Sequence, residues 1–445
     1  MTRLTNIISL SLIFLASALP VSAQEMTKID QAEKQSVIDS VSSLLNDNYV
    51  FPDVAKEMTK LIQDKHKQGK YAAIDLAQKF AEQLTEDLRS ISNDLHLRVR
   101  FAPEQIAMMR AHAEQDEEET PQEWIDQMKR NNYGFKEVKI IDGNVGYLDL
   151  RGFNNTRYAG ETAVAAMNFL SNADALIIDL RQNGGGSPSM IQLITSYLYD
   201  AEPVHLNNFY WRPSDEHTQT WTLPHVSGTR RPDIDVYVLT SRRTFSAAEE
   251  FSYNLRNLER ATLVGETTGG GAHPGGTHIA TDRFTVWVPQ GRAINPITET
   301  NWEGTGVKPH VEVPAADALE TAHLLALEKM AEKAETEEEK ERISWIMGPM
   351  EAKKNPLKVA PEVLQSYAGK YGPRTITYKD GQLFYKREGS EEHPLIALEE
   401  DLFYFEEASY FRLQILKEDG EVIGLKGLYD NGNTDISMKD SAPRP

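Results

Sequence analysis

Apolar residues between Ile29 and Ser90 recur at helical spacing: Val37, Val41, Leu44 and Leu45, then Ala55, Met58, Leu61 and Ile62, then Leu76, Phe80, Leu84 and Leu88. Intervals of three and four put each set on one helix face, so the stretch predicts a small N-terminal helical domain, residues 24–101. Its last segment, Asp94-Leu95-His96-Leu97-Arg98-Val99-Arg100-Phe101, alternates apolar and polar positions and predicts a strand. Residues 102–137 are charged and Pro-flanked, as in a helical linker. The texture then changes. A strand over Val145–Leu150, a helix over about Arg157–Leu170 and a strand over Ala175–Leu180 follow, the last nearly all apolar, as burial on both faces requires. Next come a glycine loop at Gly184, a helix over Pro188–Tyr199, a strand at Val236–Leu239, a helix opening at Ser246 and a strand at Thr262–Val264. This alternation predicts an α/β core, residues 138–350, closed by a helix from about Asp317 to Met347. Beyond Pro356 short β runs such as Thr375–Tyr378 and Leu383–Tyr385 flank the turn Asp380-Gly381, which predicts a small C-terminal β domain, residues 356–445.

Charge and composition narrow the setting. Arg3, the apolar stretch Ile7–Leu19 and Val21-Ser22-Ala23 form a signal-peptide pattern over residues 1–23, with cleavage after Ala23. The apolar stretch is shorter than the roughly 20 residues of a bilayer span and is broken by Ser9, Ser11 and Pro20. No other segment approaches spanning length, so a periplasmic or secreted protein without a membrane span is expected. The chain has no cysteine, which excludes disulfides and thiolate metal sites. A net charge of -20 argues against nucleic acid as a partner, because phosphate binding needs a basic surface. The acidic runs Glu114–Glu119 and Glu335–Glu341 read as solvated faces.

Candidate chemistry centres on Thr244-Phe245-Ser246-Ala247-Ala248-Glu249-Glu250, which follows a strand and opens a helix. Ser-x-x-Glu is a capping box, in which Ser246 and Glu249 satisfy free backbone amides. A nucleophile suits the same place for another reason: the helix N-terminus and the Ala247 amide favour a developing oxyanion. Upstream, Asp179-Leu180-Arg181-Gln182-Asn183-Gly184-Gly185-Gly186 is a buried strand followed by glycines, either a flexible turn or a loop whose amides can approach a substrate carbonyl. Neither G-x-G-x-x-G nor G-K-[ST] occurs, which removes dinucleotide and P-loop readings. No metal is expected: His273 and His278 lack an H-E-x-x-H context, and His310-Val311-Glu312 is a weak pair. Phe209, Tyr210 and Trp211, near Trp221, fit either core packing or a substrate cleft.

The order of four segments carries a resemblance. Asn183-Gly184-Gly185-Gly186, Thr244–Glu249, Val264-Gly265-Glu266-Thr267-Thr268-Gly269-Gly270-Gly271 and Glu303-Gly304-Thr305-Gly306-Val307-Lys308-Pro309 together resemble the tail-specific (carboxyl-terminal processing) serine proteases, peptidase family S41. The resemblance implies a crotonase-like or ClpP-like α/β core and an exported peptidase that cleaves proteins or peptides through an acyl-enzyme on Ser246, without cofactor. It implies an oxyanion hole from Gly185, Gly186 and Ala247. Processing proteases pair the serine with a lysine about 25 residues later, but that position is Gly271, and no lysine lies between Lys139 and Lys308. The chain is therefore more similar to the subgroup of the tricorn core and interphotoreceptor retinoid-binding protein, which implies His96 as base and Glu303 as its carboxylate. That subgroup has a serine just before the histidine; here it is Leu95, so either Glu303 contacts His96 differently or Asp94 or a water takes the serine's place, and His273 is a second candidate base. Residues 102–137 are too few for a PDZ domain. A non-catalytic module binding apolar ligands, as in the retinoid-binding relatives, is the alternative on the same fold.

Overall fold

The computed structural model describes residues 27–113 and 122–440. The expected signal peptide and the run Glu114–Glu119 lie outside them. The chain divides into two units, and the division does not follow sequence order: residues 275–291 and 212–214 belong with the N-terminal residues.

In the N-terminal unit the three expected helices span Gln31–Asn48, Pro52–Lys67 and Ala77–Ser92. Val37, Val41, Leu45, Met58, Ile62, Phe80, Leu84 and Leu88 are all buried, so the 3.6-residue period marked the packed faces correctly. The first helix starts where Asp30 accepts the Glu33 N–H, and the third stops at left-handed Asn93. The strand expected over 94–101 is shorter than its alternation suggests, covering Arg98–Phe101. Asp94 explains the difference. Its Oδ1 accepts the His96 N–H at 3.0 Å, a turn made by a side chain. Arg89 meanwhile donates to the Leu95 and Leu97 carbonyls at 2.5 and 2.8 Å. Backbone groups that a neighbouring strand would have paired are thus taken by side chains. Arg98–Phe101 pairs antiparallel with Phe284–Pro289, which pairs in turn with Gly275–Ile279.

The second unit is built on a six-stranded sheet in the spatial order Val311–Glu312, Thr262–Gly265, Asp235–Thr240, Ala175–Asp179, Val145–Leu150, Phe135–Ile141. The first five strands run parallel and the last antiparallel. Strand residues alternate between two faces. Leu148, Leu176, Ile178, Val236, Val238 and Leu263 join a core with the helices Thr156–Phe169, Pro188–Ser196 and Ala247–Asn257. Tyr147, Ile177, Tyr237, Leu239 and Val264 join a second core with Ala318, Ala322 and Ala326. Helices on both faces of a mostly parallel sheet are the predicted α/β class. The closing helix is not continuous. It divides into Ala318–Lys333 and Glu337–Lys354, because Thr336 accepts the Glu339 N–H at 3.2 Å while Glu339 reaches back to the Thr336 N–H at 3.3 Å.

The C-terminal residues form the expected β domain, two antiparallel sheets of four and five strands around Tyr367, Tyr371, Phe403, Phe405 and Phe411. The helix Glu337–Lys354 holds this domain through Trp345, whose indole donates to the Ser409 carbonyl at 2.8 Å and lies under the Arg412 guanidinium at 4.1 Å.

Candidate active site

Three parallel strands of the second unit end in loops on one edge of the sheet, where sites in open α/β folds lie. Ala175–Asp179 leads to the first glycine run, Asp235–Thr240 to Ser246, and Thr262–Gly265 to the second glycine run. Buried polar side chains lock these loops together. Thr244 Oγ1 donates to the Leu180 carbonyl at 2.8 Å and accepts the Ser241 N–H at 2.9 Å. Asn183, fully buried, donates through its side-chain amide to the Leu150 carbonyl at 2.9 Å, and its backbone carbonyl accepts the Phe245 N–H at 3.1 Å.

Ser246 is half-buried at the start of the helix Ala247–Asn257, with φ 56° and ψ -122°. An ordinary N-cap residue has extended φ/ψ. A positive φ combined with this ψ is sparsely populated for a non-glycine residue and costs about 1–3 kcal/mol, which a fold sustains chiefly where the strain serves a site. The residue stands at the turn between the strand Asp235–Thr240 and this helix. Gly185 lies directly against it: a Cβ at Gly185 would fall 2.8 Å from Ser246 Cβ and 3.0 Å from the Ala247 nitrogen.

The two glycines expected in the oxyanion hole differ. Gly185 N–H is engaged inside its own loop, donating to Asn183 Oδ1 at 2.9 Å. Phe153 and Gly186 form a parallel bridge in which Phe153 N–H donates to the Gly185 carbonyl and Ser187 N–H to the Phe153 carbonyl, so the Gly186 N–H points away from that bridge. Among the described residues the Gly186 and Ala247 amides donate to no protein acceptor.

Glu249 does more than cap. Buried completely, its carboxylate accepts four hydrogen bonds: Thr268 Oγ1 at 2.5 Å and Gly270 N–H at 2.6 Å on Oε1, Gly271 N–H at 2.8 Å and Ser246 N–H at 2.9 Å on Oε2. Burial pushes its pKa up, and these donors oppose the shift. Thr268 Oγ1 also accepts the Val307 N–H at 2.7 Å, and Gly304 N–H donates to the Gly270 carbonyl at 3.0 Å, so the network reaches the segment that carries Glu303. Glu303 Oε2 accepts the Ala272 N–H at 2.5 Å and stands 3.5 Å from Nδ1 of the buried His273. The Trp302 indole anchors the same segment on the Gly271 carbonyl at 2.7 Å.

The structure thus brings Ser246, Gly185 and Ala247 together, and separately His273 with Glu303. His96 and Asp94 belong to the N-terminal unit. There His96 Nδ1 is 4.0 Å from Asp94 Oδ1, Asp94 Oδ2 accepts the Tyr49 hydroxyl at 3.4 Å, and Leu95 faces solvent. Sequence reasoning missed the roles of Asn183, Thr244 and Thr268, and saw in Glu249 only a local cap. Their one signal was a polar side chain at the mouth of a buried strand.

Helix Ala247–Asn257 also buries Glu250, whose carboxyl is pushed up to about 7 by burial, with the Asn207 and Asn254 amides pulling the other way.

The sequence model for peptidase family S41 matches residues 144–313, and that for the N-terminal domain of peptidase S41 in eukaryotic IRBP matches residues 18–137. Among solved structures, a Bacteroides fragilis protein provisionally described as an S41 protease is 24% identical over 41% of this chain, with a TM-score of 0.35; the match spans 51%, about half, of that protein's length. A lipoprotein from Streptococcus agalactiae is 12% identical over 66% of this chain and 96% of its own, with a TM-score of 0.46. The photosystem II D1 C-terminal processing protease is 15% identical over 64% of this chain and 94% of its own, with a TM-score of 0.39. With two models of one family taking in the strained serine turn, both glycine runs and the helical N-terminal segment, the chain belongs to peptidase family S41.

Proposed function

We propose that the protein is an exported serine peptidase that cleaves proteins or peptides through an acyl-enzyme on Ser246. The observation that carries this reading is the Ser246 backbone at φ 56° and ψ -122°, at a helix N-terminus with Gly185 packed against it. In the proposed reaction Ser246 Oγ attacks the scissile carbonyl and passes its proton to an imidazole. The carbonyl oxygen becomes an oxyanion facing the Ala247 and Gly186 amides, each donor of this kind being worth about 10²–10³ in rate. Collapse expels the amine, which takes the proton back from the imidazole, and water then repeats the sequence on the acyl-enzyme.

His96 is the proposed base, on the strength of the sequence resemblance and of its fixed setting: Asp94 holds its N–H, and Arg89 holds the carbonyls on either side. His273 is the second candidate, favoured by its 3.5 Å approach to Glu303. Fluorophosphonate labelling and peptide hydrolysis separate the possibilities. Ser246→Ala abolishes both. His96→Ala reproduces most of the loss, and combining the two adds little, since members of one catalytic unit are non-additive. If His273→Ala silences the protein and His96→Ala does not, His273 is the base. A wild type that neither labels nor hydrolyses peptides replaces this reading with a binding module for apolar ligands. Export is tested by N-terminal sequencing, where a mature start at Gln24 is expected and a retained Met1 refutes it.

A further inference from the structure

We propose that Glu249 is a positioning residue for the reaction, acting as an ionised hub that fixes the serine turn against the loop leading to His273 and Glu303. This rests on the reading of Ser246 as nucleophile and adds a requirement which that reading does not contain. A capping glutamate needs one oxygen and one donor. Glu249 uses both oxygens and takes two donors on each, and three of the four come from residues 268–271 rather than from its own helix.

The chemistry of the donors selects the carboxylate. All four are N–H or O–H groups, and the Thr268 hydroxyl, while donating to Glu249, already accepts the Val307 N–H on one of its two lone pairs. A glutamine offers one carbonyl oxygen, so in either orientation its NH2 faces two donors. A protonated acid fails in the same way at one oxygen. The charge has no cationic partner in this set. It is held by the four donors and by the N-terminus of the helix Ala247–Asn257, which favour the anion and oppose the upward push of burial on its pKa.

The hub has few alternatives for the loop it holds. Gly270 has φ 88°, and a Cβ there would come 3.1 Å from the Gly306 nitrogen, so this backbone passes close to the 303–307 segment without side chains of its own. With Gly270 and Gly271 tied to Glu249, the Ala272 N–H reaches Glu303 and the Gly271 carbonyl reaches Trp302. Loosening the carboxylate frees the Ser246 backbone and the 270–273 loop together. A displacement of about 1 Å at a reacting group lowers rate on the order of 10²-fold.

Glu249→Gln is therefore measured by active-site titration with a fluorophosphonate, which separates the number of competent sites from the rate at each. The expected result is a folded protein in which every site labels eventually, at a rate lowered about 10²-fold, with kcat falling in parallel and KM within a few-fold of wild type. Thr268→Val, which removes one donor, gives a smaller loss in the same quantity, and Thr268→Ser restores the rate. The pair decides the matter if Glu249→Gln does not fold. A merely structural role gives fewer labelled sites at an unchanged rate per site and overturns the proposal, as does Glu249→Gln at wild-type rate, or Thr268→Val and Thr268→Ser at equal rates. If wild type and Ser246→Ala are equally inert, the nucleophile reading has failed and the proposal falls with it; a reactive wild type beside an unimpaired Glu249→Gln defeats the positioning role alone.

Discussion

Two runs of three glycines, Gly184–Gly186 and Gly269–Gly271, each follow a buried parallel strand and look alike as sequence, yet the structure uses them in opposite ways. In the first, Asn183 captures the Gly185 N–H from within the loop, and the Gly186 N–H is directed away from the Phe153 bridge. In the second, the Gly270 and Gly271 N–H groups both end on Glu249, and both carbonyls accept bonds from the 302–304 segment. Glycine permits close backbone approach in each case. What decides whether a run presents donors to a ligand or consumes them is an acceptor side chain supplied from elsewhere in the chain. The first run leaves the Gly186 amide without a protein acceptor among the described residues, as the proposed oxyanion role requires; the second is scaffold.

The sharpest way to break this comparison is at Gly185. Its φ of 110° and the 2.8 Å approach of a Cβ to Ser246 Cβ mean that Gly185→Ala strains the backbone and displaces the serine. Peptide turnover is expected to fall by about 10²-fold or more. Wild-type turnover in that variant would show that the first run does not shape the site.

A second test contrasts neighbouring carboxylates, Glu249 with four donors and Glu250, whose carboxyl is pushed up to about 7 by burial. For an acid whose folded pKa is raised, the unfolded chain releases the proton first, so stability is full below the unfolded value of about 4.5 and declines as pH rises through 7. Glu250→Gln mimics the protonated form. It is expected to match wild type near pH 4.5 and to exceed it by on the order of 3 kcal/mol above pH 7. Thermal melts of both proteins across this range measure the difference, and parallel Tm profiles would refute it.

The smallest effect is expected at Gly184. A Cβ there meets nothing within 4 Å and its φ is not positive, so Gly184→Ala should leave turnover within about twofold and stability within about 0.5 kcal/mol. A large loss at Gly184 would mean that the run works as a flexible unit rather than through its second and third members.

How far the sequence reaches follows the same division between local and distant partners. Ala175–Leu180 was legible because burial on both faces leaves a nearly unbroken apolar run, and Ser246 because a strand, a small-residue turn and a helix start stand in register. The strand expected over 94–101 failed at its first four residues because Asp94 and Arg89 supply the bonds that a strand partner would. Those bonds depend on side-chain reach, which alternation does not encode. The break near Thr336 was legible in principle, since Thr336 and Glu339 form a capping pair, but the helical composition on both sides masked it. Glu249 is the instructive case. Its local partner, Ser246, lies three residues away and could be read; its other partners lie some twenty residues on, and only folding brings them near.

The strand Arg98–Phe101 has its partner at Phe284–Pro289, and that arrangement sets an order in time during synthesis. Translation at roughly 5–20 residues per second separates the two strands by about 10–40 s. By then Ser246, both glycine runs and most of the parallel sheet already exist as nascent chain. The helical N-terminal unit, although begun first, completes its sheet only after Ser246 and both glycine runs have been made, and with it the backbone that continues from His96. A ribosome-bound chain therefore carries Ser246, the proposed nucleophile, well before the sheet beside its proposed base is closed.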